Sequence, residues 1–326
     1  MKKIAILVPD ITASSIEKRN KRVTPNQNGI WKDTKFIVNP RIGEFDGIIV
    51  LQSVRPLDRS YSLKCPKSKL LLVLQEPPDI LFLPESYTRQ FYCSLSQDKR
   101  IKSKVRILSH SGHHWFIDIN ITDALENTSF SKSKLLSTIV SNKTDTSGHR
   151  KRLEFIRAIK DYFGSQLDWY GRGINEIKNG KISGLADYKY HIVLENGSWP
   201  HYWTEKLADA FMANCFPFYW GAPNIFDYFS HSSLKQIDLD DIKGTIHTIE
   251  ASLEQNLYEA SQNALWGARN KILTEYHPCE TFLNTLNSLP NSKSKLITIK
   301  PHISFQYDFS TQWRVRVEKY LNLLQK

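Results

Sequence analysis

Residues 187–223 read DYKYHIVLENGSWPHYWTEKLADAFMANCFPFYWGAP, and this stretch decides the expected fold. The apolar segment 192–194 predicts a short strand. Turn residues follow, and Thr204 can cap a helix whose apolar side chains recur at i, i+3 and i+4. A second apolar segment, residues 215–220, ends at a Gly-Ala-Pro turn. This order of strand, loop, helix and strand predicts a βαβ crossover in an open parallel sheet.

Four polar residues of this stretch are candidates for binding a ligand. Asn196 follows the first strand, and Tyr202, Glu205 and Lys206 lie at the start of the helix. Ligands of open α/β sheets bind beyond the carboxyl ends of the strands, and a helix N-terminus favours phosphate. Glu205 can accept hydrogen bonds from sugar or ribose hydroxyls. A solvated helix start with ordinary aromatic packing is the alternative, and the residues alone favour neither interpretation.

Glu76 is the candidate general base. The apolar segment 69–74 predicts a buried strand, and the sequence QEPP follows it. Two prolines fix the backbone after Glu76, so its carboxylate would be held on a rigid turn at the end of the strand. A turn glutamate that faces solvent is the more common case from physics alone.

Residues 142–152 form a Ser/Thr/Gly-containing loop that enters a basic helix start. An arginine at such a start can donate two hydrogen bonds to a phosphate. Arg150 and Arg152 are both placed to do this, and an exposed basic cluster is the alternative.

These segments resemble the α1,3-fucosyltransferase family, glycosyltransferase family 10, in a bacterial-type form. ENGSWPHYWTEKLADAF followed by PFYWGAP is similar to the family's donor-binding motif, with Gly197 where Ser is usual and Trp203 where Val is usual. QEPP is similar to the segment that carries the family's proposed base. Arg152 stands three residues before Phe155, as does the family arginine that contacts the donor diphosphate.

The resemblance implies an inverting glycosyltransferase of GT-B architecture, an α/β fold of two Rossmann-like domains facing each other across a cleft. It implies GDP-fucose as donor, a hydroxyl of a glycan or lipid-linked glycan as acceptor, and a place in bacterial surface polysaccharide or lipopolysaccharide synthesis. Glu76 would be catalytic, whereas Arg152, Asn196, Tyr202, Glu205 and Lys206 would bind the donor. No metal or other cofactor would be required, although a divalent cation could stimulate the reaction.

We expect an acceptor-binding domain over residues 1–130, a nucleotide-sugar domain over 131–300 and a tail over 301–326. Residues 118–134 are polar and predict the connection between the domains. Residues 311–325 predict a basic amphipathic helix, which packs on the first domain or lies on a membrane surface.

A net charge of +11 favours an anionic partner such as a nucleotide diphosphate or an acidic membrane surface. The sequence contains no nucleic-acid-binding motif that we recognise, and its four separated cysteines are typical of reduced thiols. No segment is long and apolar enough to predict a membrane span, so we expect a cytoplasmic protein, peripheral at the inner membrane surface. Three histidines at 110–114 predict an exposed or acceptor-facing loop rather than a metal site.

Two other function classes fit the same sequence. One is a transferase of this architecture that uses a different nucleotide-sugar, and the other is a non-catalytic basic protein that binds polyanions. The sequence predicts neither the acceptor nor the oligomeric state.

Overall fold

The structure, a computed structural model, describes residues 1–126, 130–144 and 147–307, together with positions 309, 312, 313 and 315. The described residues form two compact units. Unit 1 contains residues 1–114, 120–122 and those from His277 onward, and unit 2 contains residues 115–119 and 123–276. Most of the predicted C-terminal helix over 311–325 lies outside the described residues.

The strands and helices are numbered in chain order. The strands are β1 Lys2–Leu7, β2 Ile30–Trp31, β3 Thr34–Val38, β4 Gly47–Gln52, β5 Tyr61–Pro66, β6 Leu70–Leu74, β7 Cys93–Ser96, β8 Val105–Leu108, β9 Lys134–Ile139, β10 Leu167–Tyr170, β11 Tyr188–Leu194, β12 Phe216–Trp220, β13 Lys235–Gln236 and β14 Ser294–Ile299. The helices are α1 Asp10–Arg22, α2 Glu85–Thr88, α3 Ile121–Leu125, α4 Ser147–Phe163, α5 Glu205–Met212, α6 Ile242–Glu254, α7 Leu257–Ala260, α8 Gln262–Leu273 and α9 Pro278–Ser288.

Unit 1 is built on a seven-stranded sheet of order β2-β3-β1-β4-β6-β7-β8. All neighbouring pairs are parallel except β2 with β3. The central strands β4 and β6 are buried along their whole length, because residues cover both faces of a parallel sheet. The continuous apolar run of β6 lies in residues 69–74, which the sequence predicts to be a buried strand.

Unit 2 is built on a five-stranded parallel sheet of order β10-β9-β11-β12-β13. Strand β11 pairs with β9 on one side and with β12 on the other. The predicted βαβ crossover is therefore confirmed as β11, α5 and β12. Both units are parallel α/β sheets, as the predicted fold class requires.

The predicted domain boundaries differ from this division at both ends. The chain leaves unit 1 after His114, and the buried carboxylate of Asp209 on α5 attaches the next residues to unit 2 by accepting hydrogen bonds from the backbone nitrogens of Phe116 (2.6 Å) and Ile117 (3.2 Å). The chain returns to unit 1 at His277, where β14 pairs antiparallel with β5. Strands β14 and β5 form a separate two-stranded sheet, and residues 277–300 thus belong to unit 1, whereas the sequence analysis assigned them to the second domain.

Two further sequence predictions concern the cysteines and membrane-spanning segments. All four cysteines are buried free thiols. Among the described residues, no helix combines the length and the apolar character needed to cross a membrane.

The exposed alternative for the histidine loop is wrong for two of its three histidines, whereas the acceptor-facing alternative stays a prediction. His110 and His114 are both buried, and burial is the main reason that the pKa of His114 falls to about 3. His114 is therefore held in its neutral form, and both histidines are buried in unit 1.

Candidate functional site

The candidate site lies at the carboxyl edge of the unit 2 sheet, where the strand order reverses. From β9 the chain first moves to β10 on one side and then returns to β11 on the other. Parallel α/β sheets form a ligand-binding crevice at such a switch point. Helix α4 follows β9 and helix α5 follows β11, so both helices begin at this edge. Their N-termini direct unpaired backbone N–H groups and partial positive charge towards it.

A buried carboxylate, Glu195, joins the end of β11 to the start of α5. Its side chain is fully buried and accepts hydrogen bonds from the backbone nitrogen and the hydroxyl of Thr204, both at 2.8 Å. Thr204 is the predicted cap of α5, and its hydroxyl also accepts a hydrogen bond from the backbone nitrogen of Lys206. The loop between Glu195 and Thr204 is therefore closed at its base by one side chain.

The ammonium of Lys206 lies in the same cluster. Its Nζ is 3.2 Å from Glu195 Oε2, 3.1 Å from Thr204 Oγ1 and 3.4 Å from Glu205 Oε1. Burial alone would lower the pKa of Lys206, but the two carboxylates outweigh that effect, so the pKa is raised. About a quarter of the side chain, 23%, remains exposed. Lys206 is thus a charged group with a fixed position and an open side.

Arg152 approaches the cluster from α4. Its guanidinium donates to the backbone oxygen of Leu194 at 3.2 Å, and its Nε is buried with no hydrogen-bond partner among the described residues. Burial lowers its pKa, opposed by the negative charges of Glu195 and Glu205. An unpaired donor on a buried cation is costly unless a ligand or water accepts from it. Arg150, the alternative, instead donates to the backbone oxygen of Thr144 at 2.7 Å.

The other residues that the sequence predicts to bind the sugar-nucleotide donor lie around this cluster. Glu205 is the first residue of α5, and its side chain is 13% exposed. Asn196 is half-buried at the turn directly after β11, and Tyr202 is buried in the loop that ends at Thr204. The structure therefore brings Arg152, Glu205 and Lys206 together, with Asn196 and Tyr202 on the connecting loop.

Glu76 lies at the carboxyl edge of the other sheet, in unit 1. It follows the fully buried strand β6, and the preceding residue, Gln75, donates its backbone N–H to Gln52 at 3.0 Å. After it, Pro77 accepts backbone hydrogen bonds from Ile80 and Leu81, which closes a turn. Glu76 is half-buried in a bend at this position. The predicted placement on a turn at a strand end is confirmed, whereas a catalytic role stays a prediction.

The sequence analysis missed the central role of Glu195. The available signal was an acidic residue directly after a continuous apolar run, nine residues before a good cap residue and eleven before a lysine. A carboxylate at such a position needs charged or hydrogen-bonding partners if it is buried.

The aspartates at 238–241 lie at the start of α6. Asp241 caps α6 by accepting a hydrogen bond from the backbone nitrogen of Gly244 at 2.9 Å, and Asp238 accepts one from the backbone nitrogen of Asp240 at 3.0 Å. No group of three potential metal-ligating side chains occurs in the described ranges of the chain. This segment is therefore the start of α6.

Comparisons with known proteins relate this chain to one family of glycosyltransferases. The model of the family described as glycosyltransferase family 10 (fucosyltransferase) C-term matches residues 129–253, a range that contains the cluster. This confirms the resemblance to glycosyltransferase family 10. The alpha-(1,3)-fucosyltransferase FucT of Helicobacter pylori is 34% identical over 99 residues, which are 28% of this chain and 20% of that protein. A putative fucosyltransferase of Acanthamoeba polyphaga mimivirus is 45% identical over 47 residues, 14% of this chain and 8% of that protein.

The family 10 likeness extends to the fold. A crystal structure of an alpha1,3-fucosyltransferase with GDP-fucose has a TM-score of 0.50 and 15% sequence identity, covering 88% of this chain and 90% of that one. This likeness covers residues of both units and confirms the predicted GT-B fold class. The sequence matches span about a fifth or less of the curated relatives' length.

Replacing Gly221 by alanine tests how tightly the cluster is packed. A Cβ at Gly221 would lie 2.6 Å from Glu195 Cγ and 2.2 Å from the hydroxyl of Tyr219, which is buried and accepts from the backbone of Ala222. We expect Gly221→Ala to lower the free energy of unfolding by about 1–3 kcal/mol, as overpacking does. Chemical denaturation measures this change.

Gly267→Ala is the matched control, because a Cβ there meets no atom within 4 Å. Gly267 lies inside α8, where alanine is favoured over glycine by about 0.5–1 kcal/mol. The control should therefore be neutral or stabilising. If the two variants unfold alike, the packing around Glu195 is looser than described.

Proposed function

We propose that the protein is an inverting glycosyltransferase that transfers L-fucose from GDP-fucose to a hydroxyl of a glycan acceptor. One observation carries the proposal: Arg152 and Lys206 converge on the start of α5, at the switch point of a sheet that matches glycosyltransferase family 10. A nucleoside diphosphate is the ligand whose charge and hydrogen-bonding capacity suit this set of groups. The relatives' names support fucose as the sugar.

The charges of the cluster support a diphosphate in particular. Arg152 and Lys206 carry two positive charges, and Glu195 and Glu205 carry two negative charges when ionised. Glu195 is fully buried, whereas Lys206 keeps an exposed side. A phosphate arriving from solvent therefore meets the cations and the N-terminus of α5 first. Glu205 at the first turn is placed to accept hydrogen bonds from ribose or sugar hydroxyls, with Asn196 and Tyr202 as further donor contacts.

The proposed reaction is a single displacement. Glu76 accepts the proton of the acceptor hydroxyl while that oxygen attacks the anomeric carbon of the donor. The bond from the anomeric carbon to the phosphate oxygen breaks, and its electron pair leaves with GDP. Arg152, Lys206 and the helix N-terminus stabilise the negative charge that develops on the leaving diphosphate. These cations take the part that a metal plays elsewhere, so we propose that no metal or other cofactor is needed, although a divalent cation could stimulate turnover.

The acceptor and the setting belong to the same proposal. We take the acceptor to be a glycan or lipid-linked glycan of bacterial surface polysaccharide or lipopolysaccharide synthesis. The net charge of +11 suits an anionic membrane surface, with the protein working in the cytoplasm against the inner membrane. The same charge supports the alternative of a polyanion-binding protein, which would bind nucleic acid with a strong salt dependence and would not bind nucleotide-sugars.

Lys206→Ala tests the donor site. Loss of a charged hydrogen bond to phosphate costs about 1.5–3 kcal/mol, so we expect the dissociation constant for GDP to rise about 10–100-fold. Isothermal titration calorimetry measures this, with UDP and dTDP as competitors that should displace GDP poorly. Tight competition by UDP or dTDP would favour the alternative of a different nucleotide-sugar donor.

Lys189→Ala is the matched control for this measurement. Lys189 lies near the start of β11, at the opposite end of that strand from the site, and pairs with Glu259 on the surface. Lys189→Ala removes one positive charge from the same unit but none from the site, so GDP affinity should stay within experimental error. An equal loss in both variants would mean that general charge, not this site, attracts the nucleotide.

Glu76→Gln tests the base. The amide keeps the size of the side chain but cannot accept the acceptor's proton, so the transfer rate should fall about 100-fold or more while GDP affinity is unchanged. Turnover of GDP-fucose and calorimetry with GDP measure the two effects separately. Glu85→Gln, which removes a surface glutamate paired with Arg89 in the same unit, is the control and should keep full turnover. If Glu76→Gln keeps both the transfer rate and the GDP affinity, or loses both, Glu76 is not the base.

A further inference from the structure

Glu195 contacts both Thr204, the cap of α5, and Lys206, one of the proposed donor-binding residues, yet it has no open side of its own. Its carboxylate is fully buried behind the loop that ends at Thr204. It therefore cannot be assigned to direct contact with a ligand. What it can do is act through Thr204 and Lys206, which it touches.

We propose that Glu195 is a positioning residue for the donor site: it fixes the capped start of α5 and holds the Lys206 ammonium in place and ionised. The proposal rests on the proposed function, because it concerns the groups that would bind the donor diphosphate. It adds a residue that is neither the base nor a donor contact.

The two carboxylate oxygens of Glu195 have different hydrogen-bond partners. Oε1 accepts from the backbone nitrogen of Thr204 at 2.8 Å, which fixes where α5 begins. Oε2 accepts from the hydroxyl of Thr204 at 2.8 Å and from Lys206 Nζ at 3.2 Å, which fixes where the ammonium lies. One side chain thus sets the direction of the helix N-terminus and the position of the nearest cation together.

The charge of Glu195 matters as much as its shape. Three charged groups face Lys206: Glu195 after β11, Glu205 on α5 and Arg152 on α4. Two tyrosines lie next to these groups. Tyr202 in the loop faces Arg152, and Tyr219 on β12 faces Glu195. Burial and the positive charge of Arg152 both lower the pKa of Lys206, and Glu195 contributes the larger of the two opposing carboxylate effects. Without Glu195, Glu205 alone would have to keep Lys206 ionised.

The sign of the pH dependence follows. The folded-state pKa of Lys206 is raised above its ordinary value of 10.5, so its bond to a phosphate is present below that pKa and is lost only as the pH rises through it. Removing the Glu195 charge lowers this pKa and moves the loss to lower pH. The wild-type site should therefore bind through Lys206 at every pH below the ordinary lysine pKa of 10.5, whereas a site without Glu195 should lose this bond at a lower pH than the wild type.

Glu195→Gln provides the test. Glutamine keeps an oxygen that can accept from Thr204 but removes the charge. We expect the ratio of its dissociation constant for GDP to that of the wild type to rise about tenfold between pH 7.5 and pH 9.5, which is the loss of one charged hydrogen bond. Calorimetry at both pH values measures the ratio, and the titration of GDP itself cancels in it. A ratio that does not change with pH would overturn the proposal.

The double variant Glu195→Gln with Lys206→Arg is the rescue control. A guanidinium stays charged at every pH used, so the ratio should become independent of pH again. A merely structural role for Glu195 would leave the pH trend in place or never produce it. If the trend persists in the double variant, the titrating group is not Lys206 and the proposal fails.

A second measurement does not depend on folding of the Glu195 variant. The dissociation constants of Lys206→Ala and wild type for GDP should keep a constant ratio from pH 7.5 to pH 10. A ratio that falls towards one in this range would show that Lys206 loses its proton despite Glu195, which would overturn the proposal. If the wild type binds no GDP at all, the proposed function itself fails, and the two failures are thus distinct.

Discussion

The bond between a buried carboxylate and a helix cap organises this site. Glu195 ends a strand in the middle of the unit 2 sheet, and Thr204 begins the helix that returns along it. A buried charge is tolerated only where partners satisfy it, so the positions of Thr204 and Lys206 are coupled to that of Glu195. Gly221 completes the arrangement, because any larger side chain would meet Glu195. The ligand-facing groups are thus held from behind by the core.

The candidate site was largely predictable because its residues are close in sequence. The apolar run before Glu195, the cap at Thr204 and the helical spacing after it are local patterns that physical rules interpret directly. Arg152 was accessible through the same kind of pattern at the start of α4. The buried position of Glu195 was not, because a lone glutamate after a strand can face either solvent or the core. The local sequence pattern does not show whether Glu195 has the hydrogen-bonding and charged partners that would let it be buried.

The organisation of the units was less predictable for the same reason. Strand β14 pairs with β5 more than two hundred residues earlier, and α9 packs its Leu286 beside Gly47 at the start of β4. The sequences of β14 and α9 contain no local pattern that predicts which strand or helix they contact. The polar segment near residue 130 instead suggested a single boundary between the two domains. Burial of His114 likewise depends on neighbours from distant segments, including His277. Long-range packing, not local propensity, decided these features.

The central claim is that the switch point of unit 2 binds a nucleoside diphosphate through Arg152 and Lys206. A crystal structure of the protein with GDP tests this most directly. We predict phosphate oxygens within hydrogen-bond distance of Arg152 Nε and Lys206 Nζ, at the N-terminus of α5. A diphosphate bound elsewhere on the chain, with both side chains left as they are described here, would contradict the account.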